Sequence, residues 1–463
     1  YTQSYPQNLC VITRITMSTP AEPVYQVAVP VPLRQVFDYH WPGSLLPGTR
    51  VLVPFGSRRI VGVVISGAPA EPGRKIKSIL EVLDPDTPAL SGAVWDLLVW
   101  GARYHHHPPG EVFATGLPVT LRGHHSLVAP TGTTLARAAK EPDQDALSSL
   151  SRAPKQQQLY RLLDNEKWQP WGELSKRSGC ERRILDALQR RGLAEVTQGF
   201  ADNLEVHVKS EFELNSEQQQ AADRILESVD EFRSFLLQGI TGSGKTEVYL
   251  YLARRCIAQG KQVLFLVPEI SLTPQLVSRV RDHLGPGVRS LHSGLSDQER
   301  YRTWWLARAG RIPVVLGTRS AVFTPLANPG LIVVDEEHDP SYKQQDGFRY
   351  HARNLAIKRG SLEKVPVVMG SATPSLESLH NARDGRHTLL NLEQRYGDAR
   401  LPVIRIVDTG RYPPTNGLST PVLEAIGQRL DQGEQTIVYV NRRGYAPVVH
   451  CYQCGWQAVC RHC

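Results

Sequence analysis

The sequence predicts a multidomain chain in which a small β-barrel-like domain and a short helical domain precede an α/β lobe with a parallel sheet. Three observations predict it. From Val24 to about Val82 the chain is rich in β-branched residues broken by proline and glycine, the pattern of short strands in a small barrel or sandwich. From Phe212 onward, strand-like and helix-like patterns alternate, as they do where helices cover a parallel sheet. Between two of those patterns lies Gly239-Ile240-Thr241-Gly242-Ser243-Gly244-Lys245-Thr246, which fits G-x-x-x-x-G-K-[ST] at every fixed position.

Composition sets the outer bounds. At 463 residues the chain has length for two to four domains, and 41% apolar with 21% charged residues is ordinary for globular protein. A formal charge of +8 favours a polyanionic partner, although a surplus this small is weak evidence alone. No stretch is long and apolar enough to cross a bilayer, and the start lacks a charged segment leading into an apolar one. A cytoplasmic protein without a membrane partner is expected. Of the seven cysteines, Cys10, Cys180 and Cys256 are isolated, whereas Cys451, Cys454, Cys460 and Cys463 crowd together. In a reducing compartment that crowding reads as a metal site rather than a disulfide framework.

In chain order, residues 1–16 read as a leader or a non-native extension ahead of Met17. Residues 17–122 form the first domain, with strands at Tyr25–Val29, Arg50–Val53 and Ile60–Ile65 and a more helical stretch that includes Val94–Trp100. The triplet His105-His106-His107 points in three directions, which favours a structural or surface role over metal binding. Residues 123–150, rich in Gly, Ser, Thr, Pro and Ala, read as a linker. Residues 151–205 follow the order of a winged helix: helix from Lys155, short helix from Trp171, glycine-containing turn, basic helix Glu181–Arg191 and strand from Gly192. Duplex DNA binding and a plain spacer are equally good readings of it. Residues 206–410 make the α/β lobe, and 411–463 begin a second lobe near Gln435–Val440 with a truncated cysteine module.

The glycine-rich loop carries the sharpest chemistry. Small residues let backbone N–H groups of Gly239, Thr241, Gly242, Ser243 and Gly244 wrap a phosphate at a helix N-terminus. Lys245 then reaches the β- and γ-phosphates, and the Thr246 hydroxyl ligates Mg²⁺, so ATP is the expected cofactor. Downstream, Leu331-Ile-Val-Val-Asp335-Glu336-Glu337-His338 ends a buried strand in acids. Asp335 is placed to hold Mg²⁺ and Glu336 to orient and deprotonate an attacking water. Further segments follow the same loop: Val267–Gln275, Leu291-His-Ser-Gly-Leu295, Gly317-Thr-Arg-Ser320 and Gly370-Ser-Ala-Thr-Pro374.

This ordered series resembles the superfamily 2 helicases, whose hydrolysis box is typically D-E-x-H. Gln218, in Asn215-Ser-Glu-Gln218, looks like that family's adenine-reading glutamine. The segment Asp339–Arg353 looks like the aromatic-rich loop of restart helicases, and Asn441-Arg-Arg-Gly-Tyr-Ala446 before the cysteine pairs is similar to bacterial replication-restart helicases. The resemblance implies a RecA-like lobe and an N-terminal domain that holds the 3′ end of a nascent strand. Phe37, Asp38, Gly56 and Lys77 match its pocket, where an aromatic stacks the terminal base, a carboxylate accepts from a 3′-hydroxyl and a lysine meets phosphate. Tyr342, Lys343, Phe348 and Arg349 of the aromatic-rich loop are expected to stack bases and touch phosphates, reporting DNA occupancy to Glu336. The alternative is a loop whose aromatics tuck into the core.

The implied activity is that of an ATP-dependent DNA helicase, moving 3′ to 5′, which recognises stalled forks and starts primosome assembly. Its implied partners are forked and single-stranded DNA, single-strand DNA-binding protein and other primosome proteins. A fork-binding scaffold without ATP turnover and a duplex translocase are the rival readings. The complete Lys245, Asp335 and Glu336 set speaks against the first rival, because a scaffold has no need of a hydrolytic carboxylate. Cys451-x-x-Cys454 and Cys460-x-x-Cys463 each offer two thiolates to a zinc ion. Pairs sharing one ion usually stand about 15–20 residues apart, whereas only Gly455–Val459 separates these. Each pair therefore reads as half of a separate site, and the resemblance implies two Zn²⁺ per full-length chain.

Overall fold

A barrel-like sheet comes first in the computed structural model, which describes residues 23–68, 75–130, 132–165, 168–199, 214–394, 403–415, 417–439, 453–454 and 456. Strands β1 (Val24–Ala28), β2 (Phe37–His40), β3 (Arg50–Phe55), β4 (Arg58–Ala68), β5 (Lys77–Ser78) and β6 (Glu81–Val82) lie in the order β5-β2-β1-β4-β3-β6. One short piece of chain bridges the two edges: β5 pairs with β2, the Leu80 amide donates to Leu52, and β6 pairs with β3. Alternate apolar residues Tyr25, Val27, Tyr39, Val51, Val53 and Val64 fill its core.

Helices α1 (Gly92–Tyr104), α2 (Pro109–Gly116) and α3 (Val119–Arg122) follow and fasten this barrel to the α/β lobe. Their inward faces, among them Leu97, Leu98, Val112, Phe113 and Leu121, share one continuous core with Leu236, Ile332, Val334 and Met369 of that lobe. Two arginines, Arg50 buried and Arg308 partly so, clamp the joint. Arg50 pairs with Asp84 at 2.6 Å, both fully buried, and donates to the Leu121 carbonyl at 2.8 Å. Arg308 donates to the carbonyls of Ala89 and Pro88.

Residues 133–199 form a small unit with a core of its own, built on Leu150, Leu159, Leu174, Leu185 and Leu188. Its elements are β7 (Thr133–Ala138), α4 (Gln144–Ser148), α5 (Pro154–Tyr160), β8 (Gln169–Pro170), α6 (Trp171–Ser178), α7 (Arg182–Arg190) and β9 (Ala194–Gly199). The expected linker 123–150 is corrected here. Its part from Thr133 on supplies β7, the central strand of an antiparallel sheet ordered β8-β7-β9, and helix α4, capped by the Asp143 side chain. Small polar residues suit a loop, but β7 is fixed by pairing with β9 some sixty residues on, which local composition does not show.

The lobe consists of α8 (Ser216–Leu226), β10 (Ser234–Gly239), α9 (Lys245–Ala258), β11 (Gln262–Leu266), α10 (Pro274–Leu284), β12 (Val288–Leu291), α11 (Asp297–Arg308), β13 (Val314–Gly317), β14 (Pro329–Val334), α12 (Ala352–Glu363), β15 (Val367–Ser371), α13 (Leu376–Arg383) and β16 (Thr388–Leu392). The strands form one parallel sheet in the order β12-β13-β11-β14-β15-β10-β16. Near-continuous apolar strands such as Phe235–Leu237 and Leu331–Val334 are buried on both faces, as a sheet covered by helices requires. The chain beyond residue 397 is a separate unit. It contains α14 (Thr420–Asp431); residues 434–439, near which the second lobe is expected to begin, form no strand, and Ile437 and Tyr439 stand 95% and 84% exposed.

Candidate functional site

The sheet order decides what can meet at its C-terminal edge. Strand β15 lies between β10, which leads into the glycine loop, and β14, which ends in Asp335. Ligands of open parallel sheets bind at that edge. Gly242 and Gly244 both take φ +82°, a left-handed conformation that L side chains resist. A Cβ on Gly244 would sit 2.2 Å from Gln218 Nε2, so the loop also needs glycine there for closeness. Lys245, 8% exposed, turns back and donates from Nζ to the Gly239 carbonyl at 2.8 Å. Thr246 follows it in the first turn of α9.

Gln218 has a different task from the one its resemblance implies. Only 1% exposed, it accepts from the Asn215 amide at 3.0 Å and donates to the Ser243 carbonyl at 2.9 Å. It closes a capping box on α8 and props the phosphate loop, leaving its amide buried rather than presented to a base.

The acids after β14 occupy three distinct environments. Burial, followed by the charge of Glu336, pushes Asp335 up to about 6, while Lys245 pulls the other way. Tyr249, fully buried on α9, donates to Asp335 Oδ1 at 3.2 Å. Gly370 admits that tyrosine, since a Cβ there would lie 1.5 Å from the phenolic oxygen. Glu336 is half-exposed and held at φ +45° without being glycine, a strain of the kind stored at reactive positions. Glu337 is fully buried and saturated: Arg353 Nη1 lies at 2.7 Å, the Ser375 amide at 2.7 Å and the Ser378 hydroxyl at 2.9 Å. Burial opposes its charge, but the Ser375 amide and Arg353 outweigh burial and hold its carboxyl below the ordinary value. His338 Nδ1 meets Ser371 Oγ at 2.7 Å and lies 3.5 Å from Glu336, which ties the acidic box to the end of β15. An ammonium, a buried acid and a strained carboxylate beside a glycine cradle suit Mg²⁺ and a triphosphate. Sequence reasoning missed Tyr249, Ser371, Glu337 and Arg353. Ser371, Glu337 and Arg353 lie within segments singled out above, 370–374, 331–338 and 339–353, whereas Tyr249 carried no signal.

The aromatic-rich loop is corrected. Tyr342 and Phe348 are 0% and 2% exposed and cannot stack bases where they stand. The Tyr342 hydroxyl donates to the Asp335 carbonyl at 2.6 Å. Phe348 packs against His105 and His107 at the end of α1, with centroids 5.3 and 5.6 Å away, and against Tyr350. The physical reason is a neighbour supplied by the N-terminal domain, which buries the rings. Lys343 donates to the Arg349 carbonyl at 2.6 Å, and Arg349 itself is exposed. Arg319 fixes the loop by donating to the Ser341 and Lys343 carbonyls at 3.0 and 3.1 Å.

On the barrel, Phe37, Asp38, Gly56 and Lys77 line one cavity of about 270 Å³ together with Phe55 and Lys75. Phe37 and Phe55 meet edge-to-face, 5.0 Å between centroids. Nothing lies within 4 Å of where a Gly56 Cβ would be, so the mouth is open beside an aromatic wall and two lysines. Of the four clustered cysteines only Cys454 falls within the described residues, where it is exposed; Cys451, Cys460 and Cys463 lie outside them. No group of three metal-ligating side chains occurs among the described residues. No helix among them is long and apolar enough to cross a membrane.

Comparison with known proteins follows this division. Residues 26–118 match the 3′DNA-binding domain (3′BD) of the PriA type, and residues 215–382 match the DEAD/DEAH box helicase family. The replication restart protein PriA of Haemophilus influenzae is 39% identical over 95% of this chain and 61% of its own length. That of Bacillus subtilis is 33% identical over 92% of this chain and 63% of its own. That of Chlamydia pneumoniae is 34% identical over 95% and 60%. The chain spans about three fifths of the length of these relatives. It joins a segment that matches the 3′DNA-binding domain of the PriA type to one that matches the DEAD/DEAH box helicase family, and over the stretch it spans it is similar along most of its length to replication restart proteins PriA.

Proposed function

We propose that the whole protein is an ATP-dependent DNA helicase, moving 3′ to 5′, that recognises stalled or abandoned replication forks and starts primosome assembly. The observation that carries this reading is the meeting of Lys245, Asp335 and Glu336 at one sheet edge, in the same folded unit as the cavity of Phe37, Asp38, Gly56 and Lys77. Lys245 would exchange the Gly239 carbonyl for the β- and γ-phosphates of ATP, and Thr246 and Asp335 would hold Mg²⁺. Bound Mg²⁺ supplies charge neutralisation for phosphoryl transfer. Glu336 positions a water and takes its proton, with His338 and Ser371 fixing its surroundings. The terminal base of a nascent strand would stack in the barrel cavity, with Asp38 accepting from the 3′-hydroxyl.

Finer assignments belong to the same proposal. The 133–199 unit is read as a winged helix that presents the basic helix α7 to duplex DNA. The cysteine pairs are read as halves of two zinc sites completed in the longer protein. Single-strand DNA-binding protein and primosome proteins are the proposed partners, in the cytoplasm. The test uses full-length protein: Lys245→Ala should abolish single-strand-stimulated ATP hydrolysis and strand displacement on forked DNA, with fork binding largely intact. Substantial remaining ATPase in that variant would overturn the motor reading.

A further inference from the structure

A narrow crevice of about 80 Å³ lies on the seam between α3 of the N-terminal domain and α11 of the helicase lobe. Arg122 lines it from one side, and Arg300, Trp304 and Ser320 from the other. Arg300 and Ser320 also line an adjoining crevice of about 100 Å³ together with Arg319 and Ser293. Three features of the first crevice are unexplained by packing. Trp304 is 3% exposed, yet its indole Nε1–H has no hydrogen-bond partner among the described residues. Arg300 Nε is likewise buried without a partner among the described residues, while its Nη2 pairs with Asp297. Arg122 faces Arg300 closely enough that burial, then the Arg300 charge, pulls its guanidinium below the ordinary value. Arg122 and Arg300 against Asp297, with Glu269 of the adjoining crevice set against Arg319, leave a net positive charge, and unmade buried hydrogen bonds are costly. A native seam that keeps such donors idle is arranged for an acceptor from outside.

Size and chemistry select the acceptor. At about 80 Å³ the crevice has room for a small anion such as a phosphate group. Guanidinium forks and hydroxyls are the usual donors to phosphate oxygens. We propose that this seam grips one backbone phosphate of a bound DNA strand, with Arg122 and Arg300 as the cationic donors and Trp304 Nε1 as a third. The N-terminal domain then contributes directly to the helicase lobe's DNA path, beside Arg319 and Ser320. This deepens the proposed function and rests on its reading that the protein binds single-stranded DNA.

The experiment measures binding of a fluorescein-labelled oligo-dT strand to this chain by anisotropy across a salt series. Arg122→Gln and Arg300→Gln should each weaken binding by about tenfold, as loss of a charged hydrogen bond does. Because both hold one phosphate, the double variant should be little weaker than the worse single one, and its salt slope should fall by about 0.7. Trp304→Phe removes the N–H and the pyrrole part of the indole while keeping an aromatic ring, and should also weaken binding; it decides the matter if an arginine variant loses its fold, the fold of every variant being judged by binding of a fluorescent ATP analogue. Inorganic phosphate is titrated in parallel by tryptophan fluorescence. If Arg122→Gln abolishes a response to inorganic phosphate yet leaves oligo-dT affinity and slope at wild-type values, the site serves a free anion and the proposal falls. Unchanged binding in all three variants, or fully additive losses, overturns it too. Absence of oligo-dT binding by the wild-type chain would instead sink the DNA reading itself, and this inference with it.

Discussion

Two adjacent glutamates carry opposite burdens. Glu336 stands half-exposed at φ +45°, while Glu337 is fully buried under Arg353, Ser375 and Ser378. Glu337→Ala would leave Arg353 buried without its partner, which costs about 3–5 kcal/mol, so its urea midpoint should drop sharply. Glu336→Gln should keep the wild-type midpoint and lose turnover. Equal midpoints for Glu337→Ala and wild type would show that the bridge to α13 carries no stability. Asp38 makes a comparable test on the barrel. Asp38→Ala should weaken binding to forks with a free 3′-hydroxyl at the junction by about 1.5–3 kcal/mol, and change little for forks lacking one. Equal weakening of both by titration would make Asp38 structural. A spacing pattern makes Asp335 and Glu336 visible because a strand end presents them to solvent chemistry. It makes Glu337 look like filler, since its partners come from α12 and α13.

The segment 339–353 is the element whose sequence misleads most. Its composition advertises base stacking, but rings are equally good core material, and only three-dimensional packing chooses between them. Here His105 and His107, more than two hundred residues earlier, choose burial for Phe348. Phe348→Ala should therefore destabilise the protein by about 3–5 kcal/mol rather than leave stability alone and blunt DNA stacking. Thermal unfolding decides between the two. The next residues add a pH signature. Burial, then Arg353 and Lys343, pushes His351 at the start of α12 down to about 4, with Glu337 and Glu377 the acids that face it. The unfolded chain takes up that proton near the usual histidine value of about 6.5, earlier than the folded one. Stability is thus present above that value and lost as pH falls from about 6.5 through 4. Subtracting the profile of His351→Gln from that of the wild type should show a deficit that grows across that window and stays constant below it; parallel profiles would mean the imidazole is solvated. Strand β7 teaches the same lesson: its pairing with β9 is non-local, and the glycine- and threonine-rich stretch around it reads as a loop.

At the scale of the whole molecule, the cores show which parts depend on each other. The barrel has its own core, built on Tyr25, Val27, Val51, Val53 and Val64, and the 133–199 unit has another. The lobe lacks this independence on one face of its sheet. There, Leu236, Ile332, Val334, Tyr342 and Phe348 belong to the same cluster as Leu97, Leu98, Val112, Phe113 and Leu121 from α1 to α3. The phosphate loop and the alternating strands made the lobe legible in the sequence. The shared core was not, because an amphipathic helix shows that it has an apolar face and not which surface that face covers. Removal of residues 1–122 should then expose a contiguous apolar patch on the lobe, of the kind that drives association. The truncated lobe should bind a hydrophobic dye strongly and show a lower thermal midpoint, while residues 23–88 alone remain folded around the barrel core. Deleting 133–199 should do neither to the lobe, whose shared cluster contains none of those residues. A lobe freed of α1 to α3 that stays monomeric, binds no dye and melts like the intact chain would separate the two domains energetically. In that case Phe348 would be free to leave its seat between His105 and His107, and the aromatic-rich loop could serve DNA after all.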